Sequence, residues 1–344
     1  KQPGLRGAFR ALFVPEYKDK LAVNDLSFQV ERGEMVGYIG VNGAGKSTTI
    51  KMLTGILAPT GGTVRVLGRD PNRERVANAR DIGVVFGQRT QLWWDLAYQE
   101  SLNLIARIYD LPEARYRRLL GEFSEHLGLA ELLPLPVRSM SLGQKMRAEL
   151  AATLIHEPRV VYLDEPTIGL DIVVKERIRE FIKEQNRASG LTVMLTTHDL
   201  GDIEELCERV IIIDDGHLIF DGAIATIKER FSRHRLISFE TAARPGELTL
   251  PPGVTVDGQE ERRVTLRFDR TLQSAASVAA SVMSQIEVLD LSVTEPDLAS
   301  VIRQIYTGAD PRGDSVAEPA GQAAPGAAQP RRAAAETPVE ARAS

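Results

Sequence analysis

Apolar and polar residues along this chain alternate in two rhythms, and the change from one to the other marks out its elements. Val23–Val30 alternates in the manner of a half-buried strand, and Met35–Ile39 is a compact apolar run that enters a glycine-rich loop. Lys46–Leu53 carries helical spacing, and Thr63–Leu67 reads as a short strand after the Gly61-Gly62 turn. Between about Glu100 and Leu133 the spacing is mostly helical, through Leu102, Leu104, Ile105 and Ile108 and then Leu119, Leu120 and Phe123. Apolar runs return at Gly83–Phe86, Val160–Leu163 and Val193–Thr196, the last two separated by an amphipathic helix around Val174–Asn186. Helices between apolar strands predict an α/β fold on a parallel sheet. Val210–Asp214 and His217–Asp221 flank an Asp215-Gly216 turn, which predicts a hairpin and a mixed second sheet.

Beyond about Arg235 the style changes. Short strands are predicted near Leu236–Thr241 and Val264–Phe268, a helix near Leu272–Ser284, a strand near Ile286–Val293 and a last helix to Tyr306, together a small α+β region. After Thr307 the chain turns to Ala, Pro and Gly with scattered charges, too poor in large apolar groups to fold on its own. At the other end, Leu5, Phe9, Leu12 and Phe13 recur at helical spacing beside Lys1, Arg6 and Arg10. That pattern suits either a helix packed on its own domain or a basic amphipathic helix at a membrane surface.

Bulk properties narrow the class. With 344 residues, one main domain and a smaller appended one are expected. A net charge of −5 offers no electrostatic footprint for nucleic acid. No apolar run reaches the roughly 18–20 residues needed to cross a bilayer, and the start lacks a signal peptide's apolar core and cleavage site. Cys207 is the single cysteine, with no disulfide partner, as expected of a small buried hydrophobe in a reducing compartment.

The chemistry lies in two motifs. Gly40-Val41-Asn42-Gly43-Ala44-Gly45-Lys46-Ser47, followed by Thr48, fits a phosphate-binding loop between a strand and a helix, where glycines let backbone N–H groups close around phosphate oxygens. Lys46 adds charge at the β- and γ-phosphates, and Ser47 is a Mg²⁺ ligand. About 120 residues later, Val160-Val161-Tyr162-Leu163-Asp164-Glu165 ends a buried strand on two carboxylates, Asp164 to hold hydrated Mg²⁺ and Glu165 to polarise a water as general base. Together they define a nucleotide hydrolase.

Met140-Ser141-Leu142-Gly143-Gln144, about 20 residues before Asp164 and leading into a helix, resembles the signature of the ATP-binding cassette (ABC) family. The resemblance covers roughly residues 15–230 and extends to an α/β P-loop NTPase cassette with a mixed sheet, a helical subdomain at about 89–150 and an antiparallel β subdomain. It implies an ATPase using ATP and Mg²⁺, working as a dimer beneath integral membrane permease subunits at the cytoplasmic face. In the family the signature of one subunit, here Ser141, Gly143 and Gln144, faces the γ-phosphate held by the other.

By the same resemblance, Gln88 contacts Mg²⁺ or water and senses the membrane subunit, with Gln91 as a nearby competitor. Asp171, in Gly169-Leu170-Asp171, belongs to the loop that crosses between subunits, and His198 is the switch histidine at the γ-phosphate. Tyr17 resembles the aromatic that stacks on adenine, with Phe13 as its rival. Leu142 departs from the pattern by standing where most members have glycine. Trp93 and Trp94 either grip a membrane-subunit helix or pack in the helical insert. The implied domains are 1–235 for the ATPase, 236–307 for a small accessory or regulatory α+β domain, and 308–344 for a disordered tail. The segment Phe86–Leu96, the signature and the C-terminal domain look most like exporter ATPases of the multidrug and antibiotic-resistance type. The rival readings, a non-transport ABC ATPase and a regulatory nucleotide-binding subunit, are disfavoured by the single cassette, the lack of a heptad insert or zinc cysteines, and the intact Lys46, Asp164, Glu165 and His198.

Overall fold

A parallel sheet with one antiparallel edge strand holds the phosphate-loop motif at its centre. The computed structural model describes residues 21–306, apart from 88, 232–233, 244–245, 247 and 295–297. The elements run β1 (Met35–Gly40), α1 (Lys46–Leu53), α2 (Arg75–Asp81), β2 (Ile82–Phe86), α3 (Tyr98–Ile108), α4 (Glu113–Leu127), α5 (Leu142–Leu154), β3 (Val160–Asp164), α6 (Ile172–Ser189), β4 (Thr192–Thr196), α7 (Leu200–Leu206), β5 (Arg209–Asp214) and β6 (His217–Ala223). They continue with α8 (Ile224–Phe231), β7 (His234–Thr241), β8 (Val254–Gln259), β9 (Arg263–Asp269), α9 (Ala275–Met283), β10 (Val288–Thr294) and α10 (Leu298–Tyr306). Every element near the site lies in the compact unit Lys1–Arg303.

The first sheet has the order β2-β3-β4-β1-β5-β6. Its first five strands are parallel, and β6 returns antiparallel through the Asp215-Gly216 turn. Strands β1, β3, β4 and β5 are buried along most of their length, which explains why they read as continuous apolar runs. Tyr38 is buried within β1 and donates to Thr49 Oγ1 of α1 at 3.0 Å, so helix and strand are tied together beneath the loop. Burial pushes its phenol up to about 12.

The second sheet, β10-β7-β9-β8, is wholly antiparallel. One face carries Ile237, Phe239, Val264, Leu266 and Phe268, which pack with Val278 and Val282 of α9 in a core separate from that of the first sheet.

Two strand expectations are corrected. Val23–Val30 forms no ladder; Leu26, Phe28 and Val30 pack on the first core, so the alternation records one-sided burial without strand pairing. Thr63–Leu67 likewise yields only an isolated bridge between Val66 and Arg69. The hairpin β5–β6 adds its strands to the first sheet. β8 went unpredicted, because Val256-Asp257-Gly258-Gln259 lacks an apolar rhythm and is mostly exposed.

Candidate functional site

Parallel strands deliver their carboxyl ends to one edge, where open α/β sheets bind ligands. Here the ends of β1, β3 and β4 bring three distant segments together. A cavity of about 430 Å³ is lined by Asn42, Gly43, Gly45, Lys46, Ser47 and Thr48 from the loop, Asp164 and Glu165 from β3, and His198 just past β4, with Ala22 at its margin.

The loop's shape depends on two glycines with left-handed backbone, Gly43 at φ 88° and Gly45 at φ 107°. At Gly45 an added Cβ would also lie 2.5 Å from the Ala22 carbonyl oxygen. Gly45→Ala is therefore expected to cost at least about 1–3 kcal/mol from backbone strain alone. Denaturant unfolding and ATP titration would both register it. Ala44 is buried: its N–H donates to Val41 O, and its carbonyl accepts from Gly216 N–H, which pins the loop to the β5–β6 turn. Gly40 ends β1 and supplies a carbonyl to Lys46 Nζ at 2.5 Å, with Val41 O at 3.3 Å. Burial lowers the Lys46 pKa, while Glu165 and Asp164 pull it back up.

Asp164 pairs with Thr196 in the β3–β4 ladder, and Thr196 Oγ1 donates to Asp164 Oδ1 at 2.5 Å. Glu165 has φ 56°, a conformation rare for a residue with a side chain, and its N–H is held by Thr196 O at 2.8 Å. That turn aims the Glu165 carboxylate back toward His198. Its Oε2 accepts from the His198 backbone N–H at 3.3 Å, and its Oε1 lies 3.6 Å from His198 Nε2. Burial raises the Glu165 carboxyl above the ordinary carboxylate range, against the lowering pull of His198. Thr196 was missed in the sequence: it is one of two threonines in β4, with Thr192 at the other end, and no local signal singles it out.

Further from the cavity, Ser141 caps α5. Its Oγ accepts from Gln144 N–H at 3.3 Å, and the Gln144 side chain accepts from Ser141 N–H at 2.9 Å, a reciprocal capping box. Leu142 occupies the first helical position, so leucine in place of glycine leaves this helix start regular. A Cβ on Gly143 would meet only Val174 at 3.6 Å and Leu170 at 3.8 Å. Asp171 caps α6 by accepting from Val174 N–H at 3.0 Å. Ser141, Gly143, Gln144 and Asp171 are not among the residues lining the cavity. Beside them the surface is apolar, with Ile172 73% and Val173 66% exposed, together with Ile168 and Leu142.

Gln88 and Tyr17, and with it Phe13, lie outside the described residues. Next to Gln88, Gly87 lies so close to the end of β3 that an added Cβ would sit 2.8 Å from Asp164 O. Gln91, the competing glutamine, is engaged elsewhere: its Nε2 donates to Thr153 Oγ1 of α5 at 2.6 Å. Trp93 and Trp94 are 40% and 51% exposed, which sets aside core packing in the helical insert.

Comparison with known proteins adds to this geometry. The family described as ABC transporter matches residues 23–168. The daunorubicin resistance ATP-binding protein DrrA3 of Streptomyces coeruleorubidus is 33% identical over 300 residues, covering 86% of this chain and 94% of that protein. The Nod factor export ATP-binding protein I of Paraburkholderia xenovorans (strain LB400) is 40% identical over 212 residues, 60% of this chain and 67% of the relative. Among solved structures, a dimeric ATP-binding cassette in a post-hydrolysis state, bound to ADP and Pi, aligns with a TM-score of 0.55 at 25% identity, covering 60% of this chain and 94% of its own.

Proposed function

This chain belongs to the ABC transporter ATP-binding proteins, and from that premise we propose that two copies close on ATP to power export of a small molecule through separate membrane permease subunits. It is a nucleotide-binding ATPase cassette. The observation that carries the fuller reading is the division of the chemistry over two surfaces: Lys46, Asp164, Glu165 and His198 line one cavity, while Ser141, Gly143 and Asp171 sit outside it beside exposed apolar residues. A site so divided is completed by a second copy. The dimeric state of a similar cassette supports this, and the naming of one relative for Nod factor export supports the export part of the reading.

In this reading the loop N–H groups and Lys46 cradle the phosphates. Ser47 and Asp164, both oxygen donors on the cavity wall, suit Mg²⁺. When bound, the ion neutralises phosphate charge. Glu165 accepts the proton of the attacking water. His198, held beside Glu165, contacts the γ-phosphate, and Gln88 and Tyr17 keep the roles that the resemblance gives them. Ser141 and Gly143 of the partner copy close the site, with the α5 N-terminus directed at the γ-phosphate. Trp93 and Trp94 dock a permease helix, and residues 236–307 form an accessory domain.

Nucleotide titration tests the foundation. Lys46→Ala should weaken ATP binding by about 1.5–3 kcal/mol, roughly 10- to 150-fold, the range for a hydrogen bond to a charged group. An unchanged Kd would remove Lys46 from the phosphate site. Transport itself is tested by co-purifying the permease, reconstituting both in vesicles, and asking whether cargo leaves the ATP side.

A further inference from the structure

The segment just beyond Gln88 is fastened to the signature helix along its length. Thr90 Oγ1 donates to Glu149 Oε2 at 2.6 Å, and the Gln91 N–H donates to Glu149 Oε1 at 3.0 Å. One helical turn further, Thr153 Oγ1 receives the Gln91 side chain. One turn earlier, Lys145 Nζ lies 4.3 Å from the centroid of the Trp94 ring. Lys145, Glu149 and Thr153 recur every four residues from the Ser141 cap, so a single stripe of α5 carries these contacts and leads to the cap. The lead-in to α5 is held as well: Arg138 N–H donates to Trp94 O at 2.9 Å, Val137 N–H to Leu96 O at 3.2 Å, and Arg138 pairs with Asp95 at 2.8 Å.

Glu149 is the centre of this attachment. It is 6% exposed, and carboxylates are almost never so buried unless paired. It has no cationic partner among the described contacts and lies outside the nucleotide cavity. Both of its oxygens serve the Thr90–Gln91 segment. Burial raises its carboxyl pKa, partly offset by those same donors.

We propose that Glu149 is a positioning residue that joins the exposed Trp93–Trp94 surface and the Ser141 cap into one rigid piece, so that motion at either is delivered to the other. The inference rests on the reading of Met140–Gln144 as the nucleotide-facing signature. A partner pressing on the tryptophans then moves the end of α5 that faces ATP, and closure on ATP moves the tryptophans.

The chain's two tryptophans are Trp93 and Trp94, so intrinsic tryptophan fluorescence reports this surface alone. The test uses the full chain carrying Glu165→Gln, with retained ATP and tryptophan emission both measured on adding Mg-ATP. The expected result is an emission change on ATP retention, lost in Glu149→Ala although ATP retention and thermal stability persist. Glu149→Gln keeps the shape and an acceptor for the Gln91 N–H, and should restore it. If Glu149→Ala does not fold, Thr90→Val removes one donor without emptying the site and should reduce the response.

A full response in folded Glu149→Ala, or in Thr90→Val where that variant has to stand in, would overturn the proposal. So would ATP retention without any emission change in the Glu165→Gln chain itself, or loss of ATP retention together with the response in Glu149→Ala, which would reduce Glu149 to a structural support. Failure of the Glu165→Gln chain to retain ATP would instead sink the underlying reading of the site, and the proposal with it.

Discussion

Glu165→Gln is expected to leave ATP binding intact and to slow turnover by about 10²–10⁴-fold, the usual contribution of a positioned general base. The geometry makes this substitution clean. Glu165 is set in its left-handed backbone by the Thr196 carbonyl and by the fold of β3, neither of which depends on the side-chain charge. A glutamine oxygen can still accept the His198 backbone N–H. What disappears is the capacity to take a proton. The raised carboxyl pKa sharpens the expectation for the parent. A base must be unprotonated, so activity should fall as pH drops through that raised value and recover above it, with the acid limb displaced upward from the ordinary carboxylate range. Steady-state hydrolysis at several pH values measures both effects. Turnover within a few-fold of the parent would remove Glu165 from the role.

The parts of the site legible in sequence were those in which spacing itself encodes chemistry. Gly43 and Gly45 have positive φ, and Asp164 and Glu165 end a strand buried on both faces, so motif and burial pattern carried the same information. What escaped was tertiary. Thr196 and Glu149 acquire their roles from groups 32 and 58–59 residues away, and nothing local distinguishes them from other polar residues in their elements. Leu26, Phe28 and Val30 mimic a strand because packing on a core imposes the same alternation as a ladder. Gln91 competed with Gln88 on sequence alone, and its bond to Thr153 shows where its side chain is engaged.

Mixing two inactive variants should restore ATP trapping, because the site is proposed to be shared between two copies. Lys46→Ala removes a phosphate contact. Gly143→Asp places a carboxylate at the start of α5, against the γ-phosphate of the partner's ATP. In a water-poor site this like-charge approach costs several kcal/mol. The single chain tolerates the second change, since a Cβ at Gly143 meets only ordinary contacts with Val174 and Leu170 and the backbone there is helical. Its effect is thus expected in the dimer and not in the fold. Each homodimer carries its defect in both sites and should be inactive. In a heterodimer, Lys46→Ala of one chain and Gly143→Asp of the other meet at the same ATP, and the opposite site has intact Lys46 and intact Gly143. Trapping at about one ATP per heterodimer should therefore return on mixing. Trapping is a better readout than turnover, because cycling can require both sites. If mixing restores nothing while both variants fold and dimerise, the two defects do not share a site. If the Gly143→Asp homodimer hydrolyses ATP like the parent, Met140–Gln144 does not face the nucleotide.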